Sequence, residues 1–138
     1  MGVVKLQRTE MVAQDGTPVR LVYDEEADIL EIFFGENGPA TGLELTSSIV
    51  LRLDRKAKRI LSVMLRHFSI LAEQTEYGPR SFPLEKLESL PAEIRELVLR
   101  LLTTLPVSQF LKLSHLQASP KKNLPLAYVE AQPMIAYA

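Results

Sequence analysis

The densest group of residues able to do chemistry is Asp24-Glu25-Glu26-Ala27-Asp28, carboxylates of the kind that hold Ca²⁺ or Mg²⁺ through oxygen. The run lacks the alternating acidic positions and the glycine that wrap a loop around calcium, so Asp24 and Asp28 are weak metal candidates. Asp also accepts hydrogen bonds from the backbone N–H groups of a tight turn, and that structural role is the expectation here. Histidine chemistry would have to use His67 or His115, the two histidines of the chain. Ser69 and Glu73 lie close to His67 in sequence, which permits a Ser-His-acid arrangement to be drawn. There is no Gly-x-Ser-x-Gly elbow, no glycine-rich phosphate loop and no His-Glu-x-x-His, the local frames that give such residues their chemistry. No catalytic centre, no cofactor and no dedicated metal site is expected.

Arg52, Arg55, Lys56, Lys58, Arg59 and Arg66 form the basic concentration of the chain. Centred on a hairpin tip, Arg52, Lys56 and Arg59 could meet the acidic face of a partner protein, or phosphates in the manner of a β-ribbon. The same residue types also serve as a solvated turn and edge that resists aggregation. Basic residues number 16 against 17 acidic ones, for a formal charge of −1, so no global field draws the chain to nucleic acid or anionic lipid. The absence of cysteine excludes disulfides, a thiolate nucleophile and Cys-ligated zinc or iron–sulfur sites, and fits a reducing cytoplasm. Residues 1–10 carry Lys5, Arg8 and Glu10 in a short apolar run, with neither the apolar stretch of a signal peptide nor the length of a spanning helix. A soluble cytoplasmic protein with no membrane contact is expected.

The elements that must position these residues change character halfway along. Asp15-Gly16 between residues 11–14 and 17–23 predicts a hairpin, with Pro18 at a strand start. Leu30, Ile32 and Phe34 alternate with Ile29, Glu31 and Phe33, so one strand face is core and the other is half apolar. Period two returns at residues 43–45, at Ile49, Leu51 and Leu53, and at Leu61, Val63 and Leu65. Beyond Gly78-Pro79, Ile94, Leu97, Val98, Leu101, Leu102 and Leu105 fall on one helical stripe, with Pro91 in the first turn and Pro106 as the stop. Leu84, Leu87 and Leu90 suggest a shorter helical piece. Residues 108–116 fit helix or strand, with helix favoured. The tail 117–138 holds Pro120, Pro125 and Pro133 yet is apolar at Leu124, Leu126, Tyr128, Val129, Met134, Ile135 and Tyr137, a composition that predicts docking rather than solvation.

The segment 21–71 carries Val22-Tyr23-Asp24-Glu25-Glu26-Ala27-Asp28-Ile29-Leu30-Glu31-Ile32-Phe33-Phe34, then Ile49-Val50-Leu51-Arg52-Leu53-Asp54 and Ile60-Leu61-Ser62-Val63. It resembles domain-of-unknown-function family 2283, small bacterial and archaeal proteins whose pattern runs Tyr-Asp, a short acidic turn, Asp-x-Leu-Tyr-Ile-x-Phe and a hairpin around Asp-x-x-Gly. The family's tyrosine is Glu31 here, its turn glycine is replaced within Lys56-Ala57-Lys58, and an acidic residue of its last strand corresponds to Met64. The resemblance implies a small antiparallel sheet with no established activity, and some relatives are similar to proposed antitoxin partners of small ribonuclease-like toxins.

The expected fold is α+β: a small antiparallel sheet of about five strands in the N-terminal half, covered by one or two helices from the C-terminal half. One domain, 1–138, comprises a β-rich half at 1–72, a helical half at 83–116 and an extended apolar tail at 117–138. The expected function is a non-enzymatic interaction or regulatory protein, antitoxin-like, acting as a homo-oligomer, or alternatively a small-molecule-binding domain with a pocket between sheet and helix. Self-association as a dimer would use Ile29 and Phe33 of the second strand face, or the tail with Leu126 and Tyr128. A protein partner would add the basic residues Arg52, Lys56 and Arg59.

Overall fold

The computed structural model describes residues 6–71, 74–75, 78–79, 82–84, 86–119 and 122–129, with side chains at 6–71, 84 and 86–111. Six strands make the main sheet: β1 (Leu6–Val12), β2 (Pro18–Asp24), β3 (Ile29–Phe34), β4 (Thr41–Thr46), β5 (Ile49–Asp54) and β6 (Arg59–Arg66). All neighbours are antiparallel and the spatial order is β1-β2-β3-β6-β5-β4. The antiparallel α+β class is as expected, with six strands in place of about five. The β2–β3, β4–β5 and β5–β6 boundaries have no glycine or proline to announce them. Between β4 and β5 the Thr46 hydroxyl accepts hydrogen bonds from Ser48 N at 2.9 Å and Ile49 N at 3.2 Å, so a side chain makes the turn.

The β1–β2 turn is longer than a two-residue hairpin loop. Ala13 N donates to Thr17 O at 2.8 Å and Gly16 N to Ala13 O at 2.9 Å, while Asp15 Oδ1 accepts from Thr17 N at 3.0 Å. Gly16 takes φ +89°, a conformation that its missing Cβ permits.

Alternation decides the core. Val19 and Leu21 on β2, Leu30, Ile32 and Phe34 on β3, Leu51 and Leu53 on β5 and Val63 and Leu65 on β6 are all buried on one face. The strict alternation of β6 breaks once: the register steps from Arg52↔Ser62 to Leu53↔Ile60, a bulge that puts one extra residue on the bulged strand. Ile60 rather than Leu61 therefore opposes Leu53 in the core.

After β6 come α1 (Phe68–Leu71), the short paired strands β7 (Gln74–Thr75) and β8 (Gly78–Pro79), β9 (Phe82–Pro83), a 3₁₀ turn at Leu87–Ser89 and α2 (Ala92–Leu102). A second 3₁₀ turn at Val107–Gln109 leads into β10 (Leu111–Ser119) and β11 (Lys122–Val129), which form a separate sheet ordered β10-β11-β9. Val98 and Leu102 of α2, together with Leu71, Leu84, Leu87, Val107, Phe110 and Leu111, close over the inner sheet face in a single core.

The C-terminal half corrects two expectations. Residues 111–116, favoured as helix, are strand: Leu111↔Val129 through Leu116↔Leu124 pair in register, and ladder bonds with a partner strand outweigh local periodicity. Within the segment 117–138, read as an extended apolar tail that docks, residues 122–129 are β11, paired with β10 and β9; residues 130–138 lie outside the described residues. The helical stripe ends early, since α2 stops at Leu102 and Leu105 is exposed. Thr103 Oγ1 and Thr104 Oγ1 donate to Arg100 O at 3.0 and 2.7 Å, taking up a carbonyl left free at the helix end. Among the described residues no helix is long and apolar enough to cross a membrane.

Candidate functional site

The acidic run occupies the β2–β3 loop, residues 25–28. Asp24 Oδ1 accepts from Glu26 N and Ala27 N, each at 3.1 Å, and Asp28 then takes the left-handed φ of +56°. The basic hairpin tip, residues 55–58, repeats this geometry. Asp54 Oδ1 accepts from Lys56 N and Ala57 N at 3.1 Å, and Lys58 takes φ +53°. Two loops of opposite charge share one backbone device, so the aspartates at their starts do turn chemistry. Among the described residues no group of three or more His, Cys, Asp or Glu side chains could hold a metal ion.

Asp28 anchors a polar cluster at one end of the sheet. Its Oδ1 accepts from the Tyr23 hydroxyl at 2.7 Å and from Ser69 N at 3.0 Å, and its Oδ2 from Ser69 Oγ at 2.6 Å. Burial alone would raise the Asp28 carboxyl, but the hydrogen bonds from Ser69 and Tyr23, with His67 nearby, hold it below the ordinary carboxylate value. The bond to Asp28, followed by burial and the surrounding acidic charge, pushes the Tyr23 hydroxyl up to about 12. Of the Ser-His-acid arrangement drawn from sequence, Ser69 directs its hydroxyl to Asp28 rather than to His67. His67, at φ +55°, sets its Nδ1 3.2 Å from Ser48 Oγ instead. Glu73 and the side chain of His115 lie outside the described residues.

The basic residues divide. Arg59 donates to Phe34 O at 2.7 Å and Glu36 O at 2.5 Å; Arg52 donates to Asn37 Oδ1 and Gly38 O, both at 2.7 Å. Both guanidinium groups pin the β3–β4 loop, leaving Lys56 exposed at the tip.

Ile29 and Phe33 fall on the outer sheet face, opposite the one that α2 covers. The register lays that face out in rows: Arg8, Val22, Glu31, Met64, Val50 and Glu44 across the six strands, then Glu10, Arg20, Phe33, Ser62 and Arg52. Val22, Ile29, Phe33, Val50 and Met64 are half-buried. The Arg20 guanidinium lies 4.5 Å from the Phe33 ring centre, and Ser62 Oγ donates to Glu31 Oε2 at 2.8 Å. The apolar centre is thus set among Arg8, Arg20, Arg52 and Arg66 on one side of the balance and Glu10, Asp24, Glu31 and Glu44 on the other. A patch of balanced charge has no net attraction for a phosphate backbone.

Between sheet and helix, a cavity of about 140 Å³ is lined by Thr17, Phe34, Arg59, Leu101 and Leu105 among others, smaller than the roughly 300–1,000 Å³ of ordinary ligand sites. Of the tail residues singled out from sequence, Leu126 pairs with Ser114 and Pro83 and Tyr128 with Lys112 through their backbones; their side chains lie outside the described residues.

Sequence reasoning placed the first hairpin arm at residues 11–14, which meets only the end of β1, and missed its residues 6–10. Its Leu6 and Val12 are 44% and 66% exposed, and residues 6–10 carry no apolar period of two that could have marked them as strand. Comparison with family models, with curated proteins and with solved structures finds no match to this chain.

Proposed function

We propose that this chain is a non-enzymatic interaction module that works as a homo-oligomer. The observation that carries the reading is the sheet's unequal treatment of its two faces. Helix α2 and its neighbours close the inner one, while Ile29, Phe33, Val50 and Met64 stay half-open on the outer one, with the edge strand β1 beside them, uncovered among the described residues. Apolar surface left open in this way is characteristic of protein contact. The resemblance of residues 21–71 adds the class of role, an antitoxin-like regulator that binds another protein. Light scattering on the full chain tests the reading: a mass of twice 15.5 kDa at micromolar concentration is expected. A monomer at every concentration reached would overturn it.

A further inference from the structure

The geometry points to strand β1 as the contact that joins two copies of this chain, edge to edge and antiparallel about a two-fold axis at Thr9, so that the two sheets run on as one. This inference rests on the proposal that the chain self-associates and names the surface that does it.

The two edges of the main sheet are treated differently. At β4 the register shifts between Glu44 and Thr46, Lys86 N donates to Leu45 O at 3.1 Å, and Lys86 Nζ lies 3.0 Å from Glu44 Oε1. A bulge and a bound backbone segment are devices that blunt an edge, and the Lys86–Glu44 pair ties that segment to the strand. At β1 none of these is present among the described residues. Its register with β2 is unbroken from Leu6↔Asp24 to Val12↔Pro18, and it contains no proline.

The free hydrogen-bonding groups of β1 can be identified. Ala13 N donates to Thr17 O, so residues 13, 11, 9 and 7 turn their N–H and C=O groups toward β2, as alternate residues of an antiparallel pair do. Leu6, Arg8, Glu10 and Val12 therefore direct theirs away from the sheet.

The side chains of those four residues are self-complementary. In an antiparallel pairing centred on Thr9, Arg8 of each copy stands opposite Glu10 of the other, and Leu6 opposite Val12. Opposed residues share a face, so both charge pairs and both apolar pairs form on the outer side. Directly opposite pairs of unlike charge or of apolar side chains are the favourable ones in a sheet. Exposure of Val12 at 66% and Leu6 at 44% is relieved in the same contact. A partner strand of one charge sign would satisfy only half of this pattern, which favours a second copy. The outer faces of the two copies then lie side by side, doubling the surface around Ile29 and Phe33.

The chain has no cysteine, so single-cysteine variants report position cleanly. Thr9→Cys is expected to form a disulfide-linked dimer on mild oxidation, since directly opposed, non-hydrogen-bonded residues have Cα atoms about 4.5 Å apart, within disulfide reach. Gln7→Cys is expected not to, because its two copies are offset by about 13 Å along the strand at ~3.3 Å per residue. By light scattering, Arg8→Glu is expected to give monomers at a concentration where the parent chain is dimeric, and Arg8→Glu with Glu10→Arg to restore the dimer. Phe33→Lys is expected to leave the mass unchanged. A dimer that survives Arg8→Glu, fails to cross-link at Thr9→Cys or dissociates with Phe33→Lys overturns the edge pairing while self-association stands. A parent chain of 15.5 kDa throughout overturns both.

Discussion

Asp28 combines a left-handed backbone with a carboxylate that ties β2 to the start of α1 through Tyr23 and Ser69. Asp and Asn both tolerate that φ, so Asp28→Asn keeps the turn and removes only the charge. It is expected to cost about 1–2 kcal/mol near neutral pH, as hydrogen bonds to a charged group weaken to ordinary ones. The pH dependence has a definite sign. The folded carboxyl titrates below its ordinary value near ~3.9, so its stabilisation is complete above that value and is lost as pH falls through the lower folded one. Melting temperatures taken from about pH 6 to about pH 2 should converge for parent and Asp28→Asn. Tyr23 runs the other way: its contribution is complete below ~10 and is lost as pH rises through about 12. Tyr23 should ionise late in an ultraviolet titration, and Tyr23→Phe should remove that late step. The acidic turn was legible in sequence because Asp at a turn acts locally. The bond to Ser69, 41 positions away, was not.

At the scale of elements, α2 separates periodicity from burial. Leu102 and Leu105 belong to one stripe in sequence, yet they are 1% and 39% exposed. Leu102→Ala should therefore cost roughly 2–5 kcal/mol by leaving a cavity in a packed core, whereas Leu105→Ala should fall within about 0.5 kcal/mol of the parent. Equal losses in urea unfolding would mean that the helix continues beyond Leu102. The position and face of α2 could be read from Ile94, Leu97, Val98 and Leu101 because they recur at the helical period. Its end could not, because Thr103 and Thr104 stop it through side-chain bonds that do not alter the pattern of apolar residues. Residues 111–116 failed for a related reason: a strand is defined by its partner, and β11 lies beyond Pro120.

For the whole molecule, a single core couples the two halves of the chain. Leu30, Ile32, Phe34, Val63 and Leu65 of the sheet share it with Val98, Leu102, Val107 and Phe110, so residues 1–72 alone should not fold. Their circular dichroism should lack a cooperative thermal transition, and a cooperative one would show that the sheet needs no cover. The antiparallel strands, the two-faced character of β3, the turn role of Asp24 and the helical stripe of α2 were determined by the sequence itself, because each rests on a period or a turn residue within a few positions. Two things were decided only by the tertiary structure: which strands stand at the sheet's edges and how each edge is treated among the described residues, and where Arg52 and Arg59 spend their hydrogen bonds. The strand order β1-β2-β3-β6-β5-β4 sets both. It seats β6 beside β3 and leaves β1 and β4 at the rims, and a spatial order of strands has no signature in the spacing of residues along one of them.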